Sequence, residues 1–274
     1  MAKLDRRFVD AKVRYLLGQG KRAAPLTAPT DLGGLARLQR VQSVDFRPML
    51  PSGGIAFAEG GFVVYIRDLK RESPHRILLD NDAALPDLAP RERFTLAHEL
   101  AHTFFFTTSS PPAKLAGYPR SRILEELCQY GARQLLLPEA ALRRRLAEND
   151  PVTSAFICRI ADQFAASPEV VIRRLDESGM VGYSGPSLLM LQEEAHSDDA
   201  EVIAAYIDSS LLPYRLRPEP YTSLSEWGAG MLDEGFWASS RWQGTSAIRD
   251  ATLKFRKIPY GPGFCFLEID VVLP

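Results

Sequence analysis

The spacing of apolar positions changes character several times along the chain, and each change marks an element. Leu4, Phe8, Val9, Ala11, Val13, Leu16 and Leu17 recur at helical intervals, which predicts an amphipathic helix over 4–17. The stretch from Gly18 to Gly33, rich in Gly, Pro, Thr and Ala, reads as a loop leading into Leu35–Arg40. Two runs of β-branched and aromatic residues, Ile55–Phe57 and Phe62–Ile66, then flank Ala58-Glu59-Gly60-Gly61. That arrangement predicts a β-hairpin. Arg67 to Pro90 reads as loop apart from the short apolar run Ile77–Leu79.

A proline in the first turn, at Pro90, opens the next helix. From Phe94 to Phe106 this segment is apolar on most sides and is predicted to be buried. Thr107–Pro112 ends it, and a second long helix is expected from Ser121 to Leu137, stopped by Pro138. Shorter helices follow: Glu139–Asn149, with Arg143 to Arg145 on a basic face, then Thr153–Phe164 and Pro168–Glu177. The last two are separated by Ala165-Ala166-Ser167, which is helix-turn-helix spacing. Gln192–Glu201 is acidic and reads as an exposed linker; Val202–Ile207, Ala251–Ile258 and Phe264–Val272 read as strands, and Leu224–Phe236 as a helix. The expected architecture is α+β in three parts: a catalytic unit at 1–138, a helix-turn-helix-like segment at 139–185, and a small α+β unit at 186–274.

Composition narrows the function classes. A hydrophobic fraction of 46% and a charged fraction of 24% are ordinary for a globular chain. The formal net charge of −1 gives the whole molecule no field that draws in DNA or an anionic membrane. Three cysteines, Cys128, Cys158 and Cys265, make no disulfide framework and point to a reducing compartment. No segment approaches the roughly 20 apolar residues of a membrane span. These features predict a cytoplasmic protein.

Two of the four histidines lie in the buried helix, as His98-Glu99-Leu100-Ala101-His102. Residues four apart are turned by only about 40° around a helix, so both imidazoles leave one face within reach of a single ion. Glu99 adjoins the first histidine and can reach a water on that ion without ligating it, the layout of zinc hydrolases. The competing account, two core histidines bonded to carbonyls, leaves three ionisable groups in an apolar helix at a cost of several kcal/mol unless each finds a partner. A third protein ligand is required, and the second helix offers Glu125 and Glu126. Cys128 and Ala132 follow Glu125 on its own face, so that face can pack closely on the histidine helix. Glu126 is turned about 100° away. Glu125 is therefore the expected third ligand, with the fourth position left to water and Glu99 as general base.

Arg93-Phe94-Thr95-Leu96-Ala97-His98-Glu99-Leu100-Ala101-His102 resembles the signature helix of the ImmA/IrrE family of bacterial metallopeptidases. Glu125 to Pro138 resembles that family's second motif: a Glu, a small residue three later, an Ala, then Leu-Leu-Leu-Pro. Many members have Asn and Phe where this chain has Gln129 and Gly131. The resemblance covers about residues 50–180. It implies a zincin-like fold, a Zn²⁺ cofactor, and a protein substrate that is a helix-turn-helix transcriptional repressor, cut when stress or DNA damage is sensed. For residues 186–274 it implies a GAF-like sensor domain.

Other readings concern single segments. Cys128, one turn after Glu125, is placed for a metal-proximal, redox-sensitive latch, or else it is a small apolar filler. Tyr130, Tyr65 and His75 are the polar candidates for stabilising an oxyanion. The hairpin at 55–66 offers a sheet edge to an extended substrate. Arg215, Arg217, Arg249, Lys254, Arg256 and Lys257, interspersed with Tyr214, Trp227, Trp237, Trp242 and Tyr260, suggest a platform for single-stranded DNA, the alternative being solvated charges and core aromatics. A small-molecule signal is the other partner expected there. From a different class, residues 156–176 suggest a DNA-binding regulator that uses the helix-turn-helix-like segment.

Overall fold

A computed structural model of the chain describes residues 6–20, 29–58, 60–68, 74–79, 85, 87–106, 122–148, 151–179, 187–193, 200–206, 221–224, 226, 243–248 and 251–272. The protein is a mixed α+β chain of two compact units. One comprises Met1–Ala141 with Asp162–Ser167, the other Leu142–Ala161 with Pro168–Pro274.

The first unit opens with α1 (Arg6–Gln19), which buries Val9, Val13 and Leu16 along one face, as their helical spacing requires. Helix α2 (Leu32–Leu38) follows, its first turn capped by the Asp31 carboxylate, which accepts from the Gly34 N–H at 2.9 Å. Then come β1 (Val41–Arg47), β2 (Gly53–Ala58), β3 (Gly61–Arg67) and β4 (His75–Leu78). They form one sheet in the order β2-β3-β1-β4. The predicted hairpin is the antiparallel β2–β3 pair, closed at Ala58↔Gly61 with Gly60 at a φ of 87°. Strand β1 runs parallel to β3 and lies between it and β4, so β2 forms one edge.

Helix α3 (Pro90–His102) packs on β2 and β3, and α4 (Arg122–Leu136) packs on α3. The start of α3 follows from its sequence: Pro90 needs no N–H partner, and the Glu92 carboxylate reaches back to accept from the Ala89 N–H at 2.9 Å. Leu96, Ala97, Leu100 and Ala101 are fully buried, as predicted for a helix apolar on most sides. The close approach of α1, α3 and α4 depends on Gly131, where a Cβ would lie 3.1 Å from both Ala101 Cβ and Val9 Cγ1. This explains the small residue at that position.

The helices α5 (Glu139–Leu146), α6 (Ser154–Phe164) and α7 (Pro168–Glu177) form where the sequence places them. Ala165 takes a φ of 47° in the turn between the last two. In the second unit, β5 (Ser187–Glu193), β6 (Ala200–Tyr206), β7 (Thr222–Ser223), β8 (Gln243–Ile248), β9 (Ala251–Pro259) and β10 (Phe264–Val272) form a six-stranded antiparallel sheet, order β7-β6-β5-β10-β9-β8. Helix α7 packs on β6 and β5. Glu268 of β10, 1% exposed, accepts from both the backbone N–H and the hydroxyl of Ser154 at 2.8 Å, and so caps α6.

Four strands escape the sequence reading, β1, β5, β7 and β8, and β4 is read there only as the short apolar run Ile77–Leu79 within a loop. Apart from Leu224 and Glu226, the helix expected at 224–236 lies outside the described residues, as does most of the linker at 192–201. No helix among the described residues is long and apolar enough to cross a membrane.

Candidate metal centre

The facing sides of α3 and α4 bring His98, His102 and Glu125 together. One ligand atom from each lies within 4.8 Å of the other two. The His98 and His102 Nε2 atoms are 3.1 Å apart, and Glu125 Oε2 is 3.1 Å from His98 Nε2 and 3.6 Å from His102 Nε2. The i, i+4 spacing turns both imidazoles to the same side, their rings nearly perpendicular at 81°. Glu126, as expected, points elsewhere: its carboxylate accepts from Arg122 in a pair whose side chains are 59% and 93% exposed.

Burial favours neutral imidazole at His98 and pushes its pKa below the ordinary value, with Arg133 adding to the effect and Glu125 opposing it. Neutral imidazole is the form that binds a metal. His98 Nδ1 is buried with no hydrogen-bond partner among the described residues, and the Phe94 ring stacks against the imidazole at 6.4 Å. Two nitrogens and a carboxylate oxygen converging at this range are a donor set that fits zinc or a similar divalent ion.

Glu99 faces the neighbouring side of α3, toward β2, and is only 5% exposed. A Cβ built on Gly53 would stand 2.8 Å from Glu99 Oε1, so strand and carboxylate nearly touch. Cys128 is fully buried, and its thiol is pushed up by burial and by the charges of Glu125 and Glu99. Other expected residues are engaged elsewhere. The Tyr130 hydroxyl donates to Asp10 at 2.8 Å, Tyr65 lies under the Arg47 guanidinium at 3.8 Å, and His75 stands against Phe46. Sequence reasoning missed Gly53 and the buried Arg133. A glycine pair at the head of a strand run was the available sign of the first; nothing local marks the second.

Helix-borne His-Glu-x-x-His, with a carboxylate from the next helix and an edge strand of the described sheet packed beside it, is the layout of a metallopeptidase domain. Residues 64–176 match the model of the IrrE N-terminal-like domain, Peptidase_M78. The radiation response metalloprotease IrrE of Deinococcus radiodurans is 28% identical over 115 residues, 40% of this chain and 34% of that protein. Its counterpart in Deinococcus deserti is 31% identical over 107 residues, 37% of each. The chain therefore carries an IrrE N-terminal-like domain and is a distant homologue of the IrrE metalloproteases, while spanning only about a third of their length. A solved structure described as a Mycobacterium tuberculosis transcriptional regulator aligns with 97% of this chain and 76% of its own, at 14% identity and a TM-score of 0.48.

Proposed function

We propose that this protein is a zinc-dependent endopeptidase that cleaves a helix-turn-helix transcriptional repressor in response to stress or DNA damage and so derepresses target genes. One observation carries the reading: the convergence of His98, His102 and Glu125, with Glu99, buried, following His98 on the same helix. In it the three convergent residues hold Zn²⁺. When bound, the metal supplies Lewis acidity, which lowers the pKa of water and polarises a scissile carbonyl. Glu99 takes the proton from the attacking water and delivers it to the leaving amine. Strand β2 is an edge of the sheet among the described residues, and its outer backbone groups would pair with an extended substrate and fix its direction.

The repressor as substrate rests on the resemblance to the family. We assign 1–138 to the peptidase, 139–185 to the helical segment and 186–274 to the sensor. A single antiparallel sheet with its first and last strands paired at the centre suits a GAF-like unit taking a small-molecule signal. Single-stranded DNA is the weaker option: Arg256 and Lys257 are paired with Glu268 and Glu193, and Arg215, Arg217, Arg249, Tyr214, Trp227, Trp237 and Trp242 lie outside the described residues. Three free cysteines suit the cytoplasm. Cys128 would act as a latch only if the metal drew its thiol into thiolate. Higher peptidase activity of Cys128→Ser under reducing conditions supports the latch, and unchanged activity disposes of it.

The competing reading, a DNA-binding regulator, needs α7 free to enter a groove. Against it, Arg173 donates to the Ile203 carbonyl at 2.5 Å and to Glu169 at 2.8 Å, and Arg174 is 2% exposed. The deciding experiment is co-expression with repressors encoded beside the gene, comparing wild type with Glu99→Gln. Cleavage by the first alone establishes reaction and substrate class. A gel shift with duplex DNA, and no cleavage, would favour the regulator.

A further inference from the structure

The Glu99 carboxylate has a neighbour that no motif contains. Strand β2 begins at Gly53, directly over the α3 face that carries Thr95 and Glu99, one turn apart. A Cβ there would meet Thr95 Cγ2 at 2.4 Å, Glu99 Oε1 at 2.8 Å and the Tyr65 carbonyl oxygen at 3.2 Å. Neither the strand nor Thr95 yields easily. Gly53 is paired with Ile66, the Ser52 carbonyl accepts from the Arg67 N–H at 2.9 Å, and the Arg67 guanidinium donates to the Leu50 carbonyl at 3.2 Å. The Thr95 hydroxyl donates to the Arg91 carbonyl at 3.0 Å, which fixes its rotamer and holds the methyl toward Gly53.

We infer that Gly53 is a positioning residue: its missing side chain lets the edge strand lie on α3 and leaves Glu99 one seat, beside the metal group. The inference rests on the peptidase reading above. A purely structural glycine would serve only the packing of β2 on α3. The two roles separate because the two close approaches have different remedies. Thr95→Ser removes the methyl at 2.4 Å while keeping the hydroxyl bond to Arg91. It does nothing for the carboxylate at 2.8 Å, which a Gly53→Ala methyl still displaces.

The test uses the full-length zinc-loaded chain and acetohydroxamate, a chelator whose N–OH is within reach of a carboxylate beside the metal. Zinc content, melting temperature and acetohydroxamate affinity are measured for wild type, Glu99→Gln, Thr95→Ser, Gly53→Ala and Gly53→Ala/Thr95→Ser. We expect Gly53→Ala to melt lower than wild type. The double variant should recover the melting temperature and keep one zinc, yet bind acetohydroxamate about tenfold or more weakly, as Glu99→Gln does, a charge-assisted hydrogen bond being lost. Affinity of the double variant equal to that of Thr95→Ser overturns the inference. So does a double variant that cannot fold, because its 2.4 Å clash with the Thr95 methyl should be gone. If the wild type takes up no zinc, or Glu99→Gln binds the probe as tightly as wild type, the peptidase reading itself has failed and the inference goes with it; those two controls tell the failures apart.

Discussion

Gly131 is where a single methyl should act on both stability and metal affinity. Gly131→Ala gains helix propensity of about 1 kcal/mol, since glycine is the costlier residue inside a helix. Against this stands space. The new Cβ meets Ala101 Cβ and Val9 Cγ1 at 3.1 Å and Phe104 Cε2 at 3.5 Å. Ala101 and Val9 are both fully buried, and an alanine Cβ has no rotamer with which to retreat. The helices must therefore part by a few tenths of an ångström, and overpacking of this kind costs about 1–3 kcal/mol. The net is a loss of about 1 kcal/mol, or roughly 2–4 °C in melting temperature for a chain of this size. Because α3 carries both histidines and α4 carries Glu125, the same displacement loosens the donor set, and zinc affinity should fall about tenfold, the lower end of what disturbed ligand support costs. Thermal melts with and without zinc, and competition against a fluorescent chelator, measure the two effects. Ala101→Gly removes the opposing methyl, so the double variant should regain zinc affinity. A Gly131→Ala protein that melts higher than wild type with unchanged affinity would refute the packing argument.

Glu125→Ala should abolish tight zinc binding, and with it the zinc-dependent rise in melting temperature, about 2.7 kcal/mol of stabilisation at a hundredfold excess over Kd. Glu126→Ala should leave both unchanged, as befits an exposed pair with Arg122; equal losses from the two variants would void the ligand assignment. At Glu268 burial opposes the charge, but the Ser154 N–H and hydroxyl and the Arg256 guanidinium outweigh it and hold the carboxyl below its usual range. The unfolded state then takes up this proton first as pH falls. Stability from Glu268 is complete above the unfolded value of about 4.3 and is lost as pH drops through the lower folded value. Glu268→Gln should flatten that acid limb in melts taken from pH 3 to 7, and an unaltered limb would show that other carboxylates set it.

How much of this was legible depends on how local each feature is. The His98, Glu99 and His102 constellation is fixed by the geometry of a single helix, and Glu125 by the small residues Cys128 and Ala132 that share its face. Strands were harder. In β5, Leu188, Leu189, Met190 and Leu191 are all 4% exposed or less, so no alternation marks the strand. Strand β1 pairs not with β2, which follows it in sequence, but with β3, and its polar Ser43 and Asp45 blur the pattern. They are buried because the Ser43 hydroxyl donates to Asp45 at 3.0 Å and Arg76 of β4 pairs with the same carboxylate at 2.7 Å. The Ser43 bond is local, but the Arg76 partner comes from another strand 31 residues on, and no short window of sequence contains both it and Asp45.

The same distinction applies to the site itself. A motif records the side chains that do chemistry, but the seating of α3 is set by side chains that are missing. On one side Gly53 lets β2 approach Thr95 and Glu99; on the other Gly131 of α4 makes room for Ala101 of α3 and for Val9 of α1. The first fixes the carboxylate and the second fixes the spacing between the histidines and Glu125. A methyl added at Gly53 should therefore spare zinc and weaken the base, whereas one added at Gly131 should weaken zinc and leave the β2–Glu99 contact intact. That opposite pattern in two alanine variants would arise only if the helix is clamped between these two close approaches, since general loosening of the fold would lower both properties together.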